Sequence, residues 1–284
     1  MCSNKLLKTL LISFTVLLMP TQLFADTQAD MKQAEQYLDQ ENYSKAFTIL
    51  QPLAEQGNVE AQFYVGTILF IGAGVEPNYE EGLKWYKAAA DKGSVPAQIR
   101  LGELYKGGVG VPKDYQEALR WYRAAAKQGN KYAQYQVGLM YDESKWGFQN
   151  YTAAAIWYKA AADQGYAEAK LKLARLYARG NGVEKNNEEV LKWVKSAAEQ
   201  GYTEAQFLLG TVYEDGDIVK PDYTEAIKWF QAAAEQNHAE AQLHLGMLYK
   251  EGKGTEKNLT LAKKWINKSC ENGRQKACDI KDTL

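Results

Sequence analysis

The sequence predicts an all-α solenoid of helix-turn-helix repeats, and three registers predict it. Trp85, Trp121, Trp157, Trp193, Trp229 and Trp265 follow one another at a constant spacing of 36 residues. Gly57, Gly93, Gly129, Gly165, Gly201 and Gly273 keep the same period, with Asn237 in the one remaining place. So do Ala61, Ala97, Ala133, Ala169, Ala205, Ala241 and Ala277. A period of this length marks stacked supersecondary units, each too small to bury its apolar face alone.

The elements follow in order. Lys5 and Lys8, the apolar run from Leu10 to Met19, and Leu23-Phe24-Ala25 before Asp26 read as a secretory signal peptide over 1–25. The run falls short of the roughly 20 residues a spanning helix needs, so cleavage is expected and no integral span should remain. Residues 26–57 form a degenerate leading helix pair, in which Asn42-Tyr43, Ala46 and Ile49 keep the register of Asn78-Tyr79, Gly82 and Trp85. Six full repeats follow, over 58–93, 94–129, 130–165, 166–201, 202–237 and 238–273, and 274–284 begins a truncated cap.

Within the unit 58–93, small or apolar residues at Ala61, Val65, Gly66, Ile68 and Leu69 fall on one helical face, as do Tyr79, Gly82, Trp85, Tyr86 and Ala89. Each second helix is preceded by an N-cap residue: Asn78, Asp114, Asn150, Asn186, Asp222 or Asn258. Glu81, Glu117, Glu189 and Glu225 stand three residues on, a capping-box-like pattern. The glycine after each second helix suits a left-handed C′ position. Gly66, Gly102, Gly138, Ala174, Gly210 and Gly246 let neighbouring helices approach, and the in-register tryptophans are expected to fill the core between them.

Charge excludes some partners. Without Lys5 and Lys8 the chain carries 32 basic against 35 acidic side chains, a net charge of −3. A nearly neutral chain without a basic block argues against nucleic acid and against electrostatic membrane binding. Of three cysteines, Cys2 leaves with the signal, and the even pair Cys270 and Cys278 suggests a disulfide in an oxidising compartment.

Residues 97–126 read AQIRLGELYKGGVGVPKDYQEALRWYRAAA. The pattern Ala-Gln-x-x-x-Gly-x-x-Tyr, Gly-x-Gly-Val, Asp-Tyr-x-x-Ala-x-x-Trp-Tyr-x-x-Ala-Ala resembles the Sel-1-like repeat (SLR), a tetratricopeptide relative, over roughly 28–284. The stretch from Ser269 to Cys278 resembles the secreted Cys-rich branch, whose cysteine pairs link a second helix to the next first helix. The resemblance implies a right-handed superhelix with a concave face for protein partners. It further implies a scaffold or adaptor role in the bacterial envelope or, alternatively, a secreted role in contact with host cells.

Chemistry-bearing patterns are few. Gly72-Ala73-Gly74-Val75, Gly108-Val109-Gly110-Val111 and Gly180-Asn181-Gly182-Val183 lack the Gly-Lys-Ser/Thr of a phosphate loop and read as inter-helix turns. His238 and His244 are six residues apart, wrong for two metal ligands on one helical face. Some Cys-rich relatives are connected with β-lactams, which raises a peptidoglycan- or β-lactam-acting enzyme as a third reading. Yet none of the seven serines has a lysine three residues on. No catalytic, cofactor or metal residue is therefore assigned, and a non-enzymatic protein is expected.

Binding residues are sought where the repeat varies. One first-helix position reads Tyr64, Arg100, Gln136, Lys172, Leu208 and His244, and is expected to form a partner-facing ladder. Its neighbour reads Thr67, Glu103, Leu139, Arg175, Thr211 and Met247. In the third repeat the glycine turn is replaced by Ser144-Lys145-Trp146-Gly147-Phe148. Trp146, off the register, is either a ring folded onto adjacent helices or, with Phe148, a partner anchor.

Overall fold

The computed structural model describes residues 27–281. The signal-peptide reading of 1–25 and the expected start at Asp26 lie outside the described residues. Among the described residues the fold is all-helical, without strands. The first helix, α1, covers 27–39. It is followed by α2 (Tyr43–Glu55), α3 (Val59–Ile71), α4 (Tyr79–Asp91), α5 (Val95–Gly107) and α6 (Tyr115–Lys127) in one compact unit that ends at Gln128. A second compact unit begins at Gly129. It holds α7 (Lys131–Asp142), α8 (Tyr151–Asp163), α9 (Ala167–Arg179), α10 (Asn187–Ala198), α11 (Thr203–Asp215), α12 (Tyr223–Glu235), α13 (Ala239–Glu251), α14 (Leu259–Glu271) and α15 (Gln275–Lys281). In each unit, consecutive helices pack on one another in chain order.

The second helices start as their N-cap residues dictate. Asn78 and Asp114 accept the N–H of Glu81 and Glu117 at 3.0 Å, and Asn150, Asn186, Asp222 and Asn258 do the same at 2.9–3.1 Å. Each such cap stabilises by about 1 kcal/mol. The reciprocal half of a capping box does not form. The N–H of each of these cap residues donates instead to the carbonyl of a first-helix residue, Leu69, Tyr105, Tyr141, Tyr177, Tyr213 or Tyr249. The glutamate is thereby free for other partners. Glu189 and Glu225 accept Trp193 Nε1 at 2.7 Å and Trp229 Nε1 at 3.1 Å, and both also pair with a lysine three residues on.

The left-handed positions fall as expected. Gly57 and Gly93 have φ near +90°, and Asn237, which replaces glycine in this register, has φ +65°. Asparagine tolerates this region better than other non-glycine residues. The second glycine of the turns serves close packing as well. A Cβ on Gly182 would meet the backbone carbon of Tyr151, at the start of α8, at 2.2 Å.

The core departs from the expectation for tryptophan. Trp121, Trp193 and Trp265 are buried, but Trp85, Trp157 and Trp229 are only half-buried. The fully buried ring is one residue later, at Tyr86, Tyr122, Tyr158 and Phe230. Adjacent helical positions diverge by about 100° (3.6 residues per turn), so only one of the two can face the preceding helix squarely. Buried or half-buried, these tryptophans have a cation over the face: Arg120 over Trp121 at 4.6 Å, Lys192 over Trp193 at 4.9 Å, Lys228 over Trp229 at 5.2 Å.

A further buried feature is polar. Gln98, Gln134, Gln206 and Gln242 are buried, and each carbonyl oxygen accepts an N–H from the amide thirty residues on: Gln128, Gln164, Gln236 or Asn272, at 2.8–2.9 Å. Gln98, Gln206 and Gln242 also donate to an alanine carbonyl eight residues back. In the fourth repeat Lys170 takes this place and donates to Gln200 Oε1 at 2.9 Å. At the C-terminal end, Cys270 on α14 and Cys278 on α15 stand at bonding distance, Sγ–Sγ 1.98 Å with Cα atoms 4.7 Å apart.

Candidate binding groove

A groove of about 540 Å³ opens in the second unit, walled by α9 and α11. Its floor is the buried set Ala174, Val190 and Val194, together with half-buried Ala178. Leu171 and Leu208 contribute apolar walls, and Tyr135 of α7 and Tyr202 close one end. Burial pushes the Tyr135 hydroxyl up to about 12, with Tyr166 and Glu168 adding to the shift. Tyr135 therefore acts here as a neutral donor on an apolar ring.

Charge is distributed unevenly along the groove. Lys172 and Arg175 occupy its middle, one helical turn apart on α9. Arg175 is committed: its guanidinium pairs with Asp142, a buried carboxylate that also accepts the Tyr158 hydroxyl at 3.0 Å. Lys172 Nζ has no hydrogen bond or ion pair among the described residues. Burial lowers its pKa from the usual lysine range, and the neighbouring Arg175 lowers it further. Glu168 and Glu204 stand at the N-terminal turns of α9 and α11, and Asp215 and Asp217 at the C-terminal end of α11. Burial holds the Asp215 carboxyl above its ordinary range, with Glu214 and Asp217 adding to it.

The expected ladder lines this groove only in part. In the second unit, Lys172 and Leu208 do line the groove, joined by Arg175 and Thr211 of the neighbouring position. Gln136 does not present itself: it is buried, 6% exposed, so its place in the ladder is corrected to a core-facing one. The ladder's last member, His244, is held by Glu214 at 2.6 Å and lies 5.0 Å from the Phe230 ring. In the first unit Tyr64 is half-buried beside Phe63, and Arg100 pairs with Glu103 at 3.2 Å. Trp146 and Phe148 are half-buried as well, in and after the short 3-10 turn Ser144–Trp146, and Lys145 lies over the Trp146 ring at 4.4 Å.

Two groups escaped sequence reading. Asp142 gave no signal, because its column holds unlike residues: Phe70, Lys106, Ala178, Glu214 and Lys250. His238 is an N-cap, its Nδ1 accepting the Ala241 N–H at 3.1 Å while the ring stacks on Phe207 at 4.7 Å. Its position at a unit junction was the available clue. Among the described residues no cluster of three or more His, Cys, Asp or Glu side chains could hold a metal ion, and no helix is long and apolar enough to cross a membrane.

Known proteins agree with the repeat geometry. The Sel1 repeat family model matches seven times, at 28–58, 59–94, 95–130, 131–166, 167–202, 203–238 and 239–273. The segment read from sequence as a degenerate leading pair thus matches as a repeat too. No curated protein matches the chain. Among solved structures, a protective antigen of uropathogenic Escherichia coli with an SLR fold is 33% identical, with TM-score 0.81 over 88% of this chain. The chain spans 55% of that protein's length. A Sel1 repeat protein from Oxalobacter formigenes is 32% identical, with TM-score 0.77 over 93% of this chain and 78% of its own. The C-terminal part of a TPR repeat protein from Cytophaga hutchinsonii, 13% identical with TM-score 0.54 over 88% of this chain and 98% of its own, shares the fold. Sel1 repeat proteins generally mediate protein–protein interactions and are non-catalytic repeat scaffolds. With seven matched copies from 28 to 273, this chain belongs to the Sel1 repeat family.

Proposed function

We propose that the chain is an exported, non-enzymatic scaffold that binds other proteins in the bacterial envelope, and that the groove between α9 and α11 is its docking site. One observation carries this reading. The groove's walls come from first-helix positions that change from repeat to repeat, while the helices that hold them keep one frame. A mixture of leucines, tyrosines, a cation and carboxylates over an apolar floor suits a protein surface. Export rests on the basic, apolar and small-residue succession over 1–25 and on the pairing of Cys270 with Cys278 as a disulfide.

Photo-crosslinking in intact producing cells tests docking. A photoreactive residue at Leu208 should give discrete protein adducts, whereas one at Ile156, 64% exposed on α8, should not. Adducts at Ile156 alone would move the site. Fractionation tests the location: protein beginning at Asp26 in the periplasm supports an envelope role. Release into the medium supports the second reading, a host-facing factor, which the antigenic character of the Escherichia coli relative favours. Turnover of a β-lactam or of peptidoglycan by purified protein would overturn the non-enzymatic reading.

A further inference from the structure

Two columns of the repeat are coupled, and the fourth repeat breaks both. Tyr86, Tyr122, Tyr158 and Phe230 each lie against a glycine of the preceding helix: Gly66, Gly102, Gly138 and Gly210. A Cβ at those glycines would come within 2.5–3.0 Å of the ring carbons. Only glycine admits the ring there. The fourth repeat carries Ala174 in the glycine column and Val194 in the ring column. The methyl of Ala174, and Val190 where other repeats have Gly82, Ala118, Ala154, Ala226 or Ala262, return part of the lost volume. Ala174, Val190 and Val194 form the groove floor.

From this vacated ring position we propose that the groove takes one large apolar side chain of an extended protein segment, with a neighbouring carboxylate seated on Lys172. The proposal rests on the protein-binding reading and specifies its partner. The apolar floor asks for a side chain of the kind the other repeats supply from within. Lys172 is the cation without a partner in the groove, since Asp142 already neutralises Arg175. Its amine, held partly out of water, gains most from a carboxylate. The acidic residues at both ends, Glu168 and Glu204 at one and Asp215 and Asp217 at the other, repel a longer anionic run. A single acidic group beside an apolar one satisfies all of these; a polyanion meets Lys172 but neither the apolar floor nor the acidic ends.

Selection of a random-peptide library on the purified protein tests this. Enriched peptides should pair Phe, Leu, Met or Trp with an Asp or Glu within two positions. The double variant Ala174→Gly/Val194→Phe restores the ring and glycine of the other repeats. It should keep its helicity yet bind the synthesised peptide at least about tenfold more weakly, a loss of some 1.4 kcal/mol. Ile156→Ala, at an exposed position on α8 outside the groove, should bind as before. Should the double variant unfold, Thr211→Tyr closes the mouth from the half-buried wall and should give the same loss. On Lys172→Met the peptide and its Asp→Asn or Glu→Gln version should bind alike. Enrichment of basic peptides overturns the proposal. Undiminished binding to the double variant also overturns it, while leaving the scaffold reading intact. Leu208 crosslinks without any enriched peptide would separate the two in the same way.

Discussion

The fourth and fifth repeats share one frame and differ in how they fill it. In the fifth, Phe230 is fully buried on Gly210, and the first and second helices close around the ring. In the fourth, Val194 and Ala174 hold the corresponding positions and both line a groove. The comparison teaches that in this chain the repeated residues make the scaffold and the exceptions make the surface. A solenoid tolerates this because stability is shared among neighbouring interfaces, so one underfilled repeat is carried by those beside it.

The largest effect should separate the two repeats directly. Phe230→Ala removes a ring from a closed core and should cost about 3–5 kcal/mol. Val194→Ala, at the base of an open groove, should cost less than half as much in the same denaturant titration. Equal costs would break the comparison. Next comes the terminal pair, which provides a reference outside both repeats. Reducing Cys270–Cys278 should lower stability by roughly 2–3 kcal/mol and release α15. Free-thiol titration of native protein without reductant checks that the bridge is present. Then Gly210→Ala, whose methyl would meet Phe230 Cδ1 at 2.5 Å, should cost about 1–3 kcal/mol. Its counterpart Ala174→Gly should cost only the helix propensity difference, about 1 kcal/mol. The smallest effect concerns charge. Lys172→Met should leave stability within about 0.5 kcal/mol, because the amine is partly desolvated and forms no ion pair in the fold. A large loss on thermal melting would mean that Lys172 has a structural partner.

Helix positions, turns and caps were legible because they recur with every repeat, and any one copy corrects the reading of the others. Which ring fills the core was legible only in part: Trp121, Trp193 and Trp265 are buried as expected, while Trp85, Trp157 and Trp229 are half-buried and the ring after them is buried more completely. The tryptophan is the constant residue, yet its surroundings differ between repeats: Trp193 and Trp229 donate Nε1 to Glu189 and Glu225 beneath a lysine, whereas Trp121 Nε1 is buried without a hydrogen bond. The residue after it varies in type, Tyr, Val, Phe or Ile, because burial asks only for volume. The ladder was half legible: variation in type selected Lys172 and Leu208, which line the groove, and also Gln136, which is buried. The groove itself was written in the sequence as two coincident exceptions, Ala174 and Val194. Each looks conservative alone. Their meaning needs the knowledge that the two columns touch, which only the packing supplies.

A double-mutant cycle at Ala174 and Val194 tests most directly whether the groove is a vacated ring site. Val194→Phe alone should strain against the Ala174 methyl and destabilise, and adding Ala174→Gly should recover the loss despite its own helix cost. The account predicts a favourable coupling of at least about 1 kcal/mol, within the range of residues in contact. Additive effects of the two substitutions would contradict it, since Val194 would then not stand where the other repeats place their buried ring.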